Sequence, residues 1–102
     1  MLPDLLLGID IGTTRIKAVA FDLEGGPLAS SEAEYSILTP EPAWAEQEPE
    51  LWWRTLRQVV YRLFKDGELR PERVIGLGVS VLTPALITVD REGRALRIAI
   101  LL

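Results

Sequence analysis

The chain has 102 residues, 48% of them hydrophobic, and a formal net charge of −4. That length makes one domain, residues 1–102, with a modest core. An acidic balance argues against nucleic acid or an anionic membrane as partner. With no cysteine and no histidine, disulfides, the usual structural zinc sites and histidine bases are excluded.

The apolar runs fall far short of the roughly 20 residues that span a bilayer. No basic segment or small-residue cleavage site precedes the first of them, so no signal peptide is expected and a cytoplasmic location follows. There is no asparagine, and lysine occurs only at Lys17 and Lys65 against nine arginines. Scarce amides and abundant Arg and Glu fit a thermophilic source; a GC-rich genome would favour arginine equally.

In chain order, Leu5 to Asp10 is a nearly continuous apolar run, expected to be a strand buried on both faces. Gly12-Thr13-Thr14 is the turn, and Ile16 to Asp22 is the second strand. Leu23-Glu-Gly-Gly-Pro27 carries a strong hairpin signal. Leu28 to Ile37 is a more polar third strand, expected near an edge. Thr39 to Pro49 is a proline-rich connection.

Pro49 suits the first turn of a helix. Glu50 complements the positive end of the helix dipole and lies four residues before Arg54, the favoured ion-pair orientation. Trp52, Leu56, Val59, Val60 and Leu63 share one face, and Lys65 and Gly67 mark the end. Val74 to Leu82 is a fourth strand, expected to be buried. Ala85 to Val89 is a fifth, Asp90 to Gly93 a hairpin turn, and Ala95 to Leu102 a sixth. Three meandering antiparallel strands, a helix across one sheet face and further strands make an α/β layered domain.

This opening resembles the ribonuclease-H-like half-domain of the superfamily holding actin, the heat-shock chaperone ATPases and the sugar kinases. Gly8-Ile-Asp-Ile-Gly-Thr-Thr14 with Lys17 looks like the first phosphate motif of the FGGY carbohydrate kinases. Three later segments agree in order and spacing. They are Trp44-Ala-Glu-Gln-Glu-Pro-Glu-Leu-Trp-Trp53, Val74-Ile-Gly-Leu-Gly-Val-Ser80 and Asp90-Arg-Glu-Gly-Arg-Ala-Leu-Arg-Ile-Ala-Ile-Leu101.

The resemblance implies an ATP- and Mg²⁺-dependent kinase acting on a sugar or polyol hydroxyl. Asp10 would be the magnesium partner, through water. Gly12 would let backbone approach a phosphate, Thr13 and Thr14 would donate, and Lys17 would touch a terminal phosphate. Read alone, the same turn is a hairpin using Gly and Thr for geometry. Thr83 and Pro84 align with a pair that contacts substrate hydroxyls in many relatives, although proline offers no donor. Ile98 and Leu102 replace the family's proline and tryptophan.

The three tryptophans could form a sugar-stacking platform; otherwise Trp52 is helix core and Trp44 and Trp53 anchor the proline-rich segment. Glu46 and Glu48 are expected to solvate their loop. In the family, the aspartate base and the adenosine pocket lie further on, so these residues would form one side of a cleft. The expectation is therefore a truncated kinase domain, inactive alone, or a non-catalytic, self-associating module. Bare apolar sheet surface and an open strand edge predict a homo-oligomer.

Overall fold

The computed structural model describes residues 3–81 and 85–101. Strands β1 (Leu5–Ile11) and β2 (Arg15–Phe21) form the expected antiparallel hairpin, with Asp10 opposite Lys17 and Ile11 opposite Ile16. β3 (Pro27–Glu34) pairs antiparallel with β2. The turn between them is held by Asp22, whose Oδ1 accepts from the Glu24 N–H at 2.9 Å and the Gly26 N–H at 2.8 Å. Gly25 has φ +86°, which only glycine adopts freely.

Short pieces before and after the helix complete the path. β4 (Glu46–Gln47) lies inside the proline-rich connection, and α1 (Pro49–Asp66) follows it directly. A single 3₁₀ turn, Pro71–Arg73, leads into β5 (Val74–Val81), and β6 (Ala85–Leu86) and β7 (Ala99–Leu101) follow. The larger sheet runs β3-β2-β1-β5, with β5 parallel to β1. A parallel pair needs a long crossover, and α1 lies within it. The smaller sheet runs β4-β7-β6.

α1 packs on β2 and β3. The core joins Leu7, Ile9, Ile16, Ala18 and Ala20 of the sheet to Val59 and Leu63 of the helix, with Tyr35 at one end. Burying Leu63 contributes about 2 kcal/mol. The expected helix face is right: Trp52, Leu56 and Val60 flank the buried Val59 and Leu63. Thr55 is buried there too, a polar residue that a count of apolar positions passes over.

Several expectations need correction. β1 is buried on one face only, through Leu5, Leu7 and Ile9, because no helix covers its other side; Leu6 is partly exposed and Asp10 exposed. β5 is not buried. It is the far edge of the sheet, away from the strands on which α1 chiefly packs, and Ile75, Leu77, Val79 and Val81 are each more than half exposed. β3 does lie at an edge, but it ends at Glu34, because Tyr35 turns inward and donates its N–H to Thr14 O at 2.8 Å. Arg54 pairs with Glu48 at 3.6 Å rather than with Glu50.

Gly67 is right-handed (φ −79°), and the left-handed residue is Glu68 (φ 54°). Gly67 is required for closeness instead: a Cβ there would stand 2.7 Å from Leu63 O and 2.8 Å from the Ala29 Cβ. The last two expected strands are shorter, only Ala85–Leu86 and Ala99–Leu101. Between them the Asp90 turn forms as expected, closed by a lone Val89–Ala95 bridge. The ladder then breaks where Arg97 swings out to Glu46.

Candidate phosphate-binding turn

Strand register sorts the residues of the larger sheet onto two faces. One face, with Leu7, Ile9, Ile16 and Ala18, packs on the helix. The other carries Glu32 of β3, Lys17 of β2, Asp10 of β1 and Ser80 of β5 in a single row across the sheet. All but Asp10 and Lys17 went unnoticed in the sequence as site residues. Period-2 alternation could have put Ser80 on this face, but only the parallel register sets it beside Asp10.

Next to that row glycines thin the sheet surface, although Phe21 reaches over Gly8 and Leu6 lies against Gly76. Gly8 pairs with Gly78, and Gly76 lies opposite Leu6. A Cβ on Gly78 would meet nothing within 4 Å. Glu32 pairs with Arg15 at 3.6 Å, whereas Lys17 forms no ion pair among the described residues. An exposed lysine beside an exposed aspartate, with open space above Gly78, is a surface that can accept an anion together with a cation.

The turn Gly12-Thr13-Thr14 joins β1 to β2 just beyond Asp10 and Lys17, the middle pair of this row. Its close approach is built in: the Gly12 N–H donates to Arg15 O at 2.8 Å, and a Gly12 Cβ would come within 3.2 Å of that same oxygen. All three turn carbonyls are held from the protein side. Gly12 O accepts from the Tyr35 hydroxyl, Thr13 O from Gln47 Nε2 at 2.7 Å, and Thr14 O from the Tyr35 N–H at 2.8 Å. Gln47 is fully buried and is fixed in turn by Trp52, whose Nε1 donates to Gln47 Oε1 at 2.8 Å. Burial, and after it the negative charge of Asp10, pushes the Tyr35 phenol above its ordinary value.

Asp10, Gly12, Thr13, Thr14 and Lys17 therefore lie together on one hairpin, with Asp10 and Lys17 on the same face of the sheet. Thr83 and Pro84 lie outside the described residues. The tryptophans do not gather into a platform. Trp52 serves Gln47, Trp53 lines an apolar groove with Leu7, Ile9 and Leu56, and Trp44 lines a separate cavity with Arg97. Glu46 does not solvate its loop. It is buried, and its Oε2 accepts from Arg97 Nη2 across 51 residues of sequence.

Tyr35 and Gln47 were legible as residues but not as partners of the turn. Nothing in their spacing from Gly12 announces the contact, which depends on the path of the proline-rich connection.

Residues 5–102 match the family model described as the FGGY family of carbohydrate kinases, N-terminal domain. The chain is 33% identical over 97 residues to a xylulose kinase of Klebsiella pneumoniae, covering 95% of this chain and 20% of that protein. It is 34% identical over 98 residues to a glycerol kinase of Aquifex aeolicus, again 95% of this chain and 20% of the relative. The crystal structure of a xylulose kinase from Rhodospirillum rubrum superposes with a TM-score of 0.86 at 29% identity, over 95% of this chain and 20% of that one. The chain thus spans about a fifth of the length of these relatives and shares their α/β half-domain architecture.

Proposed function

This chain belongs to the FGGY family of carbohydrate kinases, matching its N-terminal domain, and we propose that it forms one wall of a nucleotide and sugar cleft. The observation that carries the reading is the clamped turn beside the Asp10–Lys17 pair. Phosphoryl transfer is largely a matter of neutralising phosphate charge and aligning donor with acceptor. Lys17 and the Thr13 and Thr14 donors suit the phosphates of ATP, and Gly12 lets backbone come close to them.

Asp10 is the magnesium partner in this reading. Among the described residues no three His, Cys, Asp or Glu side chains gather to hold a metal. A single exposed carboxylate fits a magnesium ion that keeps most of its water and is shared with phosphate. The bound ion would offset phosphate charge. The acceptor in this reading is a small sugar or polyol, on the strength of relatives named xylulose and glycerol kinases.

The 102 residues by themselves bind nucleotide without turning it over, because half of a cleft cannot close over its substrates. Titration with Mg²⁺–ADP by calorimetry should show binding. A coupled assay with ATP and a sugar panel should show no turnover. Turnover by stoichiometric purified chain would overturn the inactive reading, and absence of nucleotide binding would overturn the phosphate reading. A cytoplasmic location belongs to the same proposal; among the described residues no helix is long and apolar enough to cross a membrane.

A second reading, a non-catalytic module that pairs with another copy of itself, is favoured by the exposed row on the sheet edge. Ile75, Leu77, Val79 and Val81 stand on the helix side of β5 at 60%, 61%, 55% and 52% exposure. Edge strands with apolar rows pair readily. Light scattering at high micromolar concentration should report a mass above one chain, and Leu77→Lys should return it to the monomer. A monomeric wild type would end this reading.

A further inference from the structure

We propose that Gln47, held by Trp52, is a positioning residue that turns the Thr14 N–H outward as a donor of the phosphate site, beside the Thr13 N–H that the Tyr35 hydroxyl turns through Gly12 O. The inference rests on the phosphate reading of the turn and names what shapes it.

The argument is one of peptide geometry. A trans peptide is planar, and its C=O and the following N–H point in opposite directions. Gly12 O, Thr13 O and Thr14 O are all drawn toward the protein, by the Tyr35 hydroxyl, Gln47 Nε2 and the Tyr35 N–H. The N–H groups of Thr13 and Thr14 must then face away from it, toward the exposed side of the turn. Among the described residues nothing accepts from either of them. Successive outward N–H groups make an anion-binding concavity.

Gln47 occupies the middle of this arrangement. It has no exposure, so its amide cannot turn to water. Both ends of that amide are committed. Nε2 donates to Thr13 O at 2.7 Å and reaches Ser36 O at 3.4 Å, while Oε1 accepts from Trp52 Nε1 at 2.8 Å. Trp52 thereby sets which end of the amide faces the turn. An acceptor there would oppose Thr13 O, release it, and let the Thr13–Thr14 peptide rotate. β4 supplies the reach: its two residues are pinned between Leu38 and β7, with Glu46 directed to Arg97 and Gln47 to the turn.

The test uses the full 102-residue chain, ¹⁵N-labelled, titrated with Mg²⁺–ADP and separately with inorganic phosphate. In wild type the Thr13 and Thr14 amide resonances should shift on titration with either probe. Gln47→Met keeps the side-chain volume and removes the hydrogen bonds to Thr13 O, Ser36 O and Trp52 Nε1. It should weaken Mg²⁺–ADP binding about tenfold and displace the Thr14 amide resonance more than that of Thr13, with the α1 resonances unmoved. Trp52→Phe removes the N–H and trims the indole to a single ring; with the α1 resonances unmoved it should weaken binding about threefold even if Gln47→Met fails to fold.

Wild-type amide shifts together with unchanged affinity in Trp52→Phe and in folded Gln47→Met would overturn the positioning role and leave the phosphate reading standing. Absence of any Thr13 or Thr14 shift in wild type would overturn both.

Discussion

Asp10 and Lys17 face each other across the β1–β2 ladder, on the sheet face that α1 leaves open. Both are exposed, and Lys17 has no ion-pair partner among the described residues. The pair is therefore free to serve a ligand. Hydrogen bonds to charged groups are worth about 1.5–3 kcal/mol, so Lys17→Ala should weaken Mg²⁺–ADP binding at least tenfold. Asp10→Ala should remove the magnesium dependence of that binding. Calorimetry with and without Mg²⁺ reads both, and unchanged metal dependence in Asp10→Ala would disprove its role. Neither substitution should lower the melting temperature appreciably, since both side chains stand in water.

Glu46 of β4 and Arg97, two residues before β7, tie the proline-rich connection to the C-terminal segment. The Glu46 side chain is 10% exposed and that of Arg97 48%. Arg97→Ala leaves a nearly buried carboxylate without its cation. A fully buried pair broken this way costs about 3–5 kcal/mol, and the half-exposed guanidinium brings the expected loss nearer 2 kcal/mol. Glu46→Gln in the Arg97→Ala background should recover part of it. Urea denaturation of the single and double variants gives the comparison.

Gly67 and Gly78 look alike in sequence and should behave differently. Gly67→Ala forces a Cβ against Leu63 O and Ala29, and overpacking of this kind costs about 1–3 kcal/mol. Gly78→Ala meets open space and should stay within about 0.5 kcal/mol of wild type. Gly78 nonetheless lies on the same face as Asp10 and Lys17, so its added methyl should be felt in nucleotide affinity if that face is the wall of the cleft.

Tyr35 gives a pH signature. Its phenol is raised in the folded state above its ordinary value of 10.0, by burial first and by the Asp10 charge second. The folded protein therefore keeps this proton at a pH where the unfolded chain has lost it. Stability should be unaffected by the group below about pH 10 and should fall as pH rises beyond it. Tyr35→Phe should flatten that alkaline decline while loosening Gly12 O. Chemical denaturation between pH 8 and 11 separates the two effects.

Periodicity and turn chemistry made the local elements legible. The β1–β2 hairpin, the Asp22 and Asp90 turns and the helix from Pro49 follow from alternation, glycine placement and a 3.6-residue apolar stripe, all of which act within a few residues. The same reading placed β5 in the interior, because an apolar run does not say which neighbour will cover it. α1 packs chiefly on β2 and β3, and β5 is left at the edge.

By itself the sequence determined the phosphate-like turn, its aspartate and lysine, and the family to which the four segments point. These are short-range patterns, carried by residues adjacent along the chain. Only the tertiary structure decided what holds the turn. Gln47 reaches Thr13 across 34 residues, Tyr35 reaches Gly12 across 23, and Ser80 meets Asp10 through a parallel register. Contacts of that span depend on how the proline-rich connection and the crossover helix return the chain to β1. No spacing in the sequence encodes that path, because it is chosen by the packing of one apolar helix face on one half of a sheet.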